Sequence, residues 1–201
     1  MMKLFSAVLC ALCAGTILIA GSGARLAAAP LNIVAIGASN TSGLGVGERN
    51  AYPAILETLL RKRGIDAHVI NAGVSGDVTA GMLRRIDSVV PKGTDIVILQ
   101  PGANDLRFFG TKERRTANIE AMAARMRARG IRVVIYDPQE IPPDFYQWDH
   151  IHFNAAAHAK IAAILAAEIA GGMKPNPAAA AGAPPASAPP SAAPAPAPAK
   201  P

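Results

Sequence analysis

Between residues 31 and 170 the chain alternates short apolar runs with amphipathic stretches. Residues 31–36 (LNIVAI) form a β-branched run followed by glycines, the pattern of a buried strand opening into a loop and a helix. Residues 51–63 carry Ile55, Leu56, Leu59 and Leu60 at helical spacing and end at Gly64, a natural helix stop. A short strand is predicted over 67–70, running into Asn71-Ala-Gly-Val-Ser-Gly-Asp77. Asp77 or Ser75 can cap the next helix, which reaches about Val90 before Pro91 stops it. Residues 95–100 read as a third strand, 112–129 as a long helix closed by Gly130, and 131–136 as a fourth strand. An irregular segment over 137–148 leads to Asp149-His-Ile-His-Phe-Asn154, where Asn154 can cap an Ala-rich helix to about Ala170.

Strand and helix in alternation predict an α/β fold with right-handed crossovers and helices on both faces of a parallel sheet. Four strands suit a three-layer α/β/α sandwich with a flavodoxin-like parallel sheet of order 2-1-3-4. The chain shows no internal repeat.

The two ends differ from this core. Lys3, an apolar run over 4–20 and small residues up to Ala29 have the layout of a secretory signal peptide. The run is short for a membrane span of about 20 residues. Cleavage after Ala24, Ala28 or Ala29 would remove Cys10 and Cys13, the two cysteines of the chain, and with them disulfide and thiol chemistry. Residues 174–201 are almost wholly Ala and Pro, a composition that favours an extended, solvated tail, suited to spacing through a cell envelope. The expected organisation is therefore a signal peptide over 1–29, one domain over 30–173 and a tail over 174–201, in an exported (periplasmic or secreted) protein.

Charge argues against one class of partner. The chain carries +6, but Lys3, Arg25, Lys174 and Lys200 lie outside the domain, which keeps 16 basic against 14 acidic side chains. Its Arg-rich stretches fall on predicted helices, where charges line a solvated face, and a nucleic-acid role is not expected. A dinucleotide site starting at Gly43-x-Gly45-x-Gly47 fails because Glu48 stands where the third glycine belongs. Asp149, His150, His152 and His158 have no metal-ligand spacing, so no metal or cofactor is expected.

Ligands of open α/β sheets bind where strands end, and three polar clusters follow predicted strands: Ser39, Asn71 to Gly73, and Asn104-Asp105. A fourth, Asp149 to His152, can fold back onto the same edge. Taken singly, each has a plain structural explanation as a turn, a cap or an exposed loop. Jointly and in this order, Gly37-Ala-Ser39, Asn71-Ala-Gly73, Gly102-Ala-Asn-Asp105 and Asp149-His-Ile-His152 resemble the four blocks of the SGNH hydrolase superfamily, which includes GDSL lipases, arylesterases and lysophospholipase/thioesterase enzymes.

That resemblance spans about residues 31–170 and implies an SGNH hydrolase fold, with Ser39 as nucleophile, His152 as base and Asp149 as its orienting acid. The implied oxyanion hole is the backbone N–H of Ser39 and Gly73 plus the side-chain amide of Asn104. The roles are chemically coherent, since a serine hydroxyl needs an imidazole to take its proton and an acid to fix the imidazole tautomer. Spacing favours His152 over His150, which is adjacent to Asp149. Ala38 stands where the family block usually reads Asp, and the short Asn104–Asp149 interval suggests a smaller sheet and a more open pocket. Phe108, Phe109, Phe145, Tyr146, Trp148 and Phe153 flank the Asn104 and His152 blocks, where they can line an acyl or aryl pocket or plug the core. The expected activity is hydrolysis of carboxylic esters or thioesters of small molecules, lipids or acylated glycans. A non-catalytic exported binding protein on a degenerate fold is the alternative.

Overall fold

The structure, a computed structural model, describes residues 29–108, 110–137 and 141–172. The expected signal peptide up to residue 28 and the tail lie outside the described residues.

Four strands form the sheet: β1 (Leu31–Gly37), β2 (Ala67–Gly73), β3 (Ile96–Gln100) and β4 (Arg132–Ile135). All neighbours are parallel and their order is β2-β1-β3-β4, as the alternation of elements predicts. Six α-helices are described: α1 (Ser39–Ser42), α2 (Tyr52–Lys62), α3 (Thr79–Val89), α4 (Asn104–Arg107), α5 (Lys112–Ala128) and α6 (Ala155–Gly171).

Strand periodicity explains the three layers. Successive side chains of β1 point to opposite faces, so Ile33 and Ala35 join one cluster while Val34 and Ile36 join another. The first cluster packs under α2 through Tyr52, Leu56 and Leu60, and under α6 through Ile161, Leu165 and Ile169. The second packs under α3 through Met82 and Ile86, and under α5 through Met122 and Met126. Burial on both faces is why residues 96–100 form a continuous apolar run rather than alternating, apart from the terminal Gln100.

Two local expectations change with tertiary context. β2 continues to Gly73, beyond the apolar run, because pairing with β1 extends to Gly37↔Gly73. The predicted side-chain cap of α3 is replaced from a distance. Val78 precedes the helix without capping it, and the Asp105 carboxylate instead accepts from the Thr79 backbone N–H at 2.9 Å and its hydroxyl at 2.5 Å. Asn154 does cap α6, accepting from the Ala157 N–H at 3.1 Å.

Candidate active site

β1 ends at Gly37, and the chain turns at once into α1. A Cβ on Gly37 would collide with the Thr41 side chain and the Gln100 carbonyl, so the lack of a side chain permits this tight turn. Ser39 is thereby held at the strand's end, 8% exposed. Its Oγ lies 3.0 Å from His152 Nε2, and His152 Nδ1 lies 2.6 Å from Asp149 Oδ2. Residues separated by 113 positions thus form one continuous hydrogen-bonded chain.

The loop over 146–153 makes this possible. It is closed by the Tyr146–Phe153 bridge and by the Gln147 N–H donating to the His152 carbonyl at 2.7 Å. Inside it, Asp149 Oδ1 accepts the N–H groups of Ile151 and His152, each at 2.9 Å. The His152 N–H, then its ring, then the Ile151 N–H hold the Asp149 carboxyl well below the usual carboxylate range. His150 takes φ +57°, an uncommon conformation for a non-glycine residue, and its side chain is exposed. Asp149 therefore meets His152, three residues on, and not its immediate neighbour.

Donors for a developing oxyanion come from two directions. The Ser39 N–H begins α1 and has no acceptor among the described residues. Asn104 lines the same cleft; its amide donates to the Asp77 carbonyl at 2.8 Å, which leaves a second N–H. Gly73 departs from expectation. Its N–H donates to Asn71 Oδ1 at 3.0 Å, closing its own turn instead of being offered to the site. Its missing side chain has a packing reason, because a Cβ there would overlap the backbone of Thr41 and Ser42.

The GDSL-like Lipase/Acylhydrolase family profile matches residues 35–173, a stretch holding every group just described. The chain belongs to this family. Esterase TesA of Pseudomonas aeruginosa is 31% identical over 120 residues, which is 59% of this chain and 59% of that protein. The chain thus matches about three fifths of that curated relative's length. A crystal structure of TesA superposes with a TM-score of 0.62 at 22% identity, covering 69% of this chain and 98% of the other, a likeness of fold. AlinE4, described as an SGNH-hydrolase family esterase, gives a TM-score of 0.53 at 30% identity, over 71% of this chain and 74% of its own.

Beside the Ser39–His152–Asp149 chain this family member has a cleft of about 240 Å³. Of the aromatics expected to line it, Tyr146 and Phe153 do so. Phe153 is also part of the core and Tyr146 packs against it, so both readings of the aromatics meet in these two residues. Phe108 and Trp148 are 60% and 90% exposed and are not among the described residues of the cleft wall, a correction that follows from their side chains facing solvent. Phe109 lies outside the described residues. Phe145 packs against the core cluster and carries Lys160 over its ring.

Several supporting residues escaped the sequence reading. Arg115 of α5 donates twice to the Gly102 carbonyl, at 3.0 and 2.9 Å, and to Asp137 at 2.6 Å, so it fixes the loop that carries Asn104. Gln147 bridges the carbonyls of Leu44 and Phe153 at 2.8 and 2.9 Å. Arg115 reads as one more helix-surface charge and Gln147 as a loop polar residue, so neither leaves a sequence signal. Asp105 was legible as part of its block. His158 is buried in the core and takes no part in the cleft.

Proposed function

We propose that the protein is a serine esterase or acylhydrolase that cleaves carboxylic ester or thioester bonds. The observation that carries this reading is the hydrogen-bonded chain from Ser39 Oγ through both ring nitrogens of His152 to Asp149, at 3.0 and 2.6 Å. In the proposed reaction Ser39 Oγ attacks the acyl carbon while His152 Nε2 takes its proton. Asp149 keeps the other ring nitrogen protonated and stabilises the imidazolium that forms. The Ser39 N–H and the free amide N–H of Asn104 receive the oxyanion; losing one such donor typically costs about 10²–10³ in rate. The imidazolium then protonates the leaving alcohol or thiol, and water releases the acyl group by the same route in reverse.

The apolar cleft walls, Leu106, Ile141, Tyr146, Ile151 and Phe153, support an ester with a hydrophobic portion. Export is part of the proposal and is supported by the residue pattern up to Ala29; the N-terminal residue of the protein recovered from its producing cells tests it. The activity is tested by hydrolysis of short- and medium-chain p-nitrophenyl esters by wild type, Ser39→Ala and His152→Ala. Turnover by wild type, with a loss of several orders of magnitude in both folded variants, is expected. A folded wild type no faster than the variants would leave the binding-protein reading.

A further inference from the structure

Among the described residues three charged side chains line the cleft: Arg107, Arg115 and Asp137. Two of them neutralise each other, since Arg115 Nη2 and Asp137 Oδ1 are 2.6 Å apart and both side chains are largely buried. A fourth charge near the site, the Asp149 carboxylate, is held by His152 and two backbone N–H groups. Arg107 has no such counterpart. It is the last residue of the short α4 that starts with Asn104, its side chain is exposed, and it has no ion-pair partner among the described residues. Among the described residues the cleft wall therefore carries one positive charge without an ion-pair partner, three residues from the proposed oxyanion donor, beside apolar walls formed by Leu106, Ile141 and Ile151.

A guanidinium stays charged at every working pH and offers a fork of donors that matches a carboxylate or phosphate. Placed in a cleft with low-dielectric walls, it raises the local concentration of anions. We propose that Arg107 selects amphiphilic esters that carry an anionic group, a carboxylate or phosphate, in addition to a hydrophobic portion. The inference rests on the esterase reading for its substrate and deepens it to a substrate class. Because the Arg107 side chain is exposed, added salt weakens the preference.

The anion can sit on either side of the scissile bond, and two substrate pairs distinguish these cases. Mono-p-nitrophenyl adipate against p-nitrophenyl hexanoate places a carboxylate on the acyl side. 4-Hexanoyloxybenzoate against phenyl hexanoate places it on the alcohol side. The readout is the anionic-to-neutral ratio of kcat/KM in each variant divided by that in wild type, which cancels intrinsic reactivity. On at least one pair Arg107→Gln should lower this ratio by about threefold to tenfold, and Arg107→Glu should lower it further. High salt should bring wild type towards the Gln variant. Ratios that stay unchanged on both pairs in both folded variants overturn the proposal. Should wild type prove as inert as Ser39→Ala, the esterase reading fails separately, and binding then decides. Tighter binding of the anionic member by Ser39→Ala, lost on adding Arg107→Glu, supports the anion site; equal binding of both members overturns it.

Discussion

Asn40 Oδ1 accepts the Phe153 backbone N–H at 2.8 Å. The residue after the proposed nucleophile thus holds the residue after the proposed base. Gln147 makes a second tie between the same two loops by donating to the carbonyls of Leu44 and Phe153. The 3.0 Å approach of Ser39 to His152 is therefore fixed by hydrogen bonds between the two loops, outside the Ser39–His152–Asp149 chain itself.

Asn40→Ala removes the first tie. Misplacement of reacting groups by about 1 Å can cost on the order of 10² in rate, while one lost hydrogen bond costs only about 1 kcal/mol of stability. The expected result is a fall in kcat of about tenfold to a hundredfold with little change in KM and a small drop in Tm. Asn40→Asp, which keeps the acceptor, should retain more of the activity. Steady-state kinetics beside thermal unfolding of both variants provide the check.

Asp149→Asn keeps the side-chain shape but no longer favours the tautomer with a proton on His152 Nδ1. A loss of roughly 10³–10⁴ in kcat is expected, with the fold retained. The pH profile adds a second test. Hydrogen bonds lower the Asp149 pKa, so its contribution to stability is present above the usual carboxylate pKa and is lost only as pH falls below that range. Asp149 should therefore add no inflection of its own to kcat/KM across the usual carboxylate range.

Gly73→Ala separates packing from catalysis. The new Cβ would meet the backbone of Thr41 and Ser42, which cannot rotate away as a flexible side chain can. A destabilisation of about 2–3 kcal/mol is expected, measured by urea unfolding. If Ala is tolerated with stability intact, the close approach of β2 to α1 is wrong.

His158 should make the fold acid-sensitive. Its ring is fully buried, Nδ1 accepts the Tyr52 N–H at 3.1 Å, and Nε2 has no partner among the described residues. Burial pushes its pKa down from 6.5 to about 4. Between those values the unfolded chain binds a proton that the folded one refuses. The stability it contributes is thus complete above about pH 6.5 and declines as pH falls towards about 4, by up to about 3 kcal/mol. His158→Phe should flatten this dependence while lowering stability near neutral pH, because the Tyr52 N–H loses its acceptor. Urea unfolding of both proteins near neutral pH and at about pH 4.5 isolates the effect from that of the other histidines.

Much of this was written in local order. Apolar runs of β-branched residues specify β1 and β3, helical spacing specifies α2, and their alternation specifies a parallel sheet of order 2-1-3-4. The four blocks of polar residues named the groups that now meet at one sheet edge, because a parallel sheet brings every strand's C-terminal end to the same side. Other features depended on contacts between distant segments. The Asp105 carboxylate replaced a local cap on α3, Arg115 proved to brace the Asn104 loop, and Gly73 turned out to close its own turn. The exposure of Trp148 and the placement of the Arg107 charge on the cleft wall belong to the same category. Periodicity and motif spacing are properties of neighbours along the chain, and they sufficed for elements and topology. Which donor meets which acceptor, and which charge is left over, are properties of neighbours in space, and only the folded arrangement decided them.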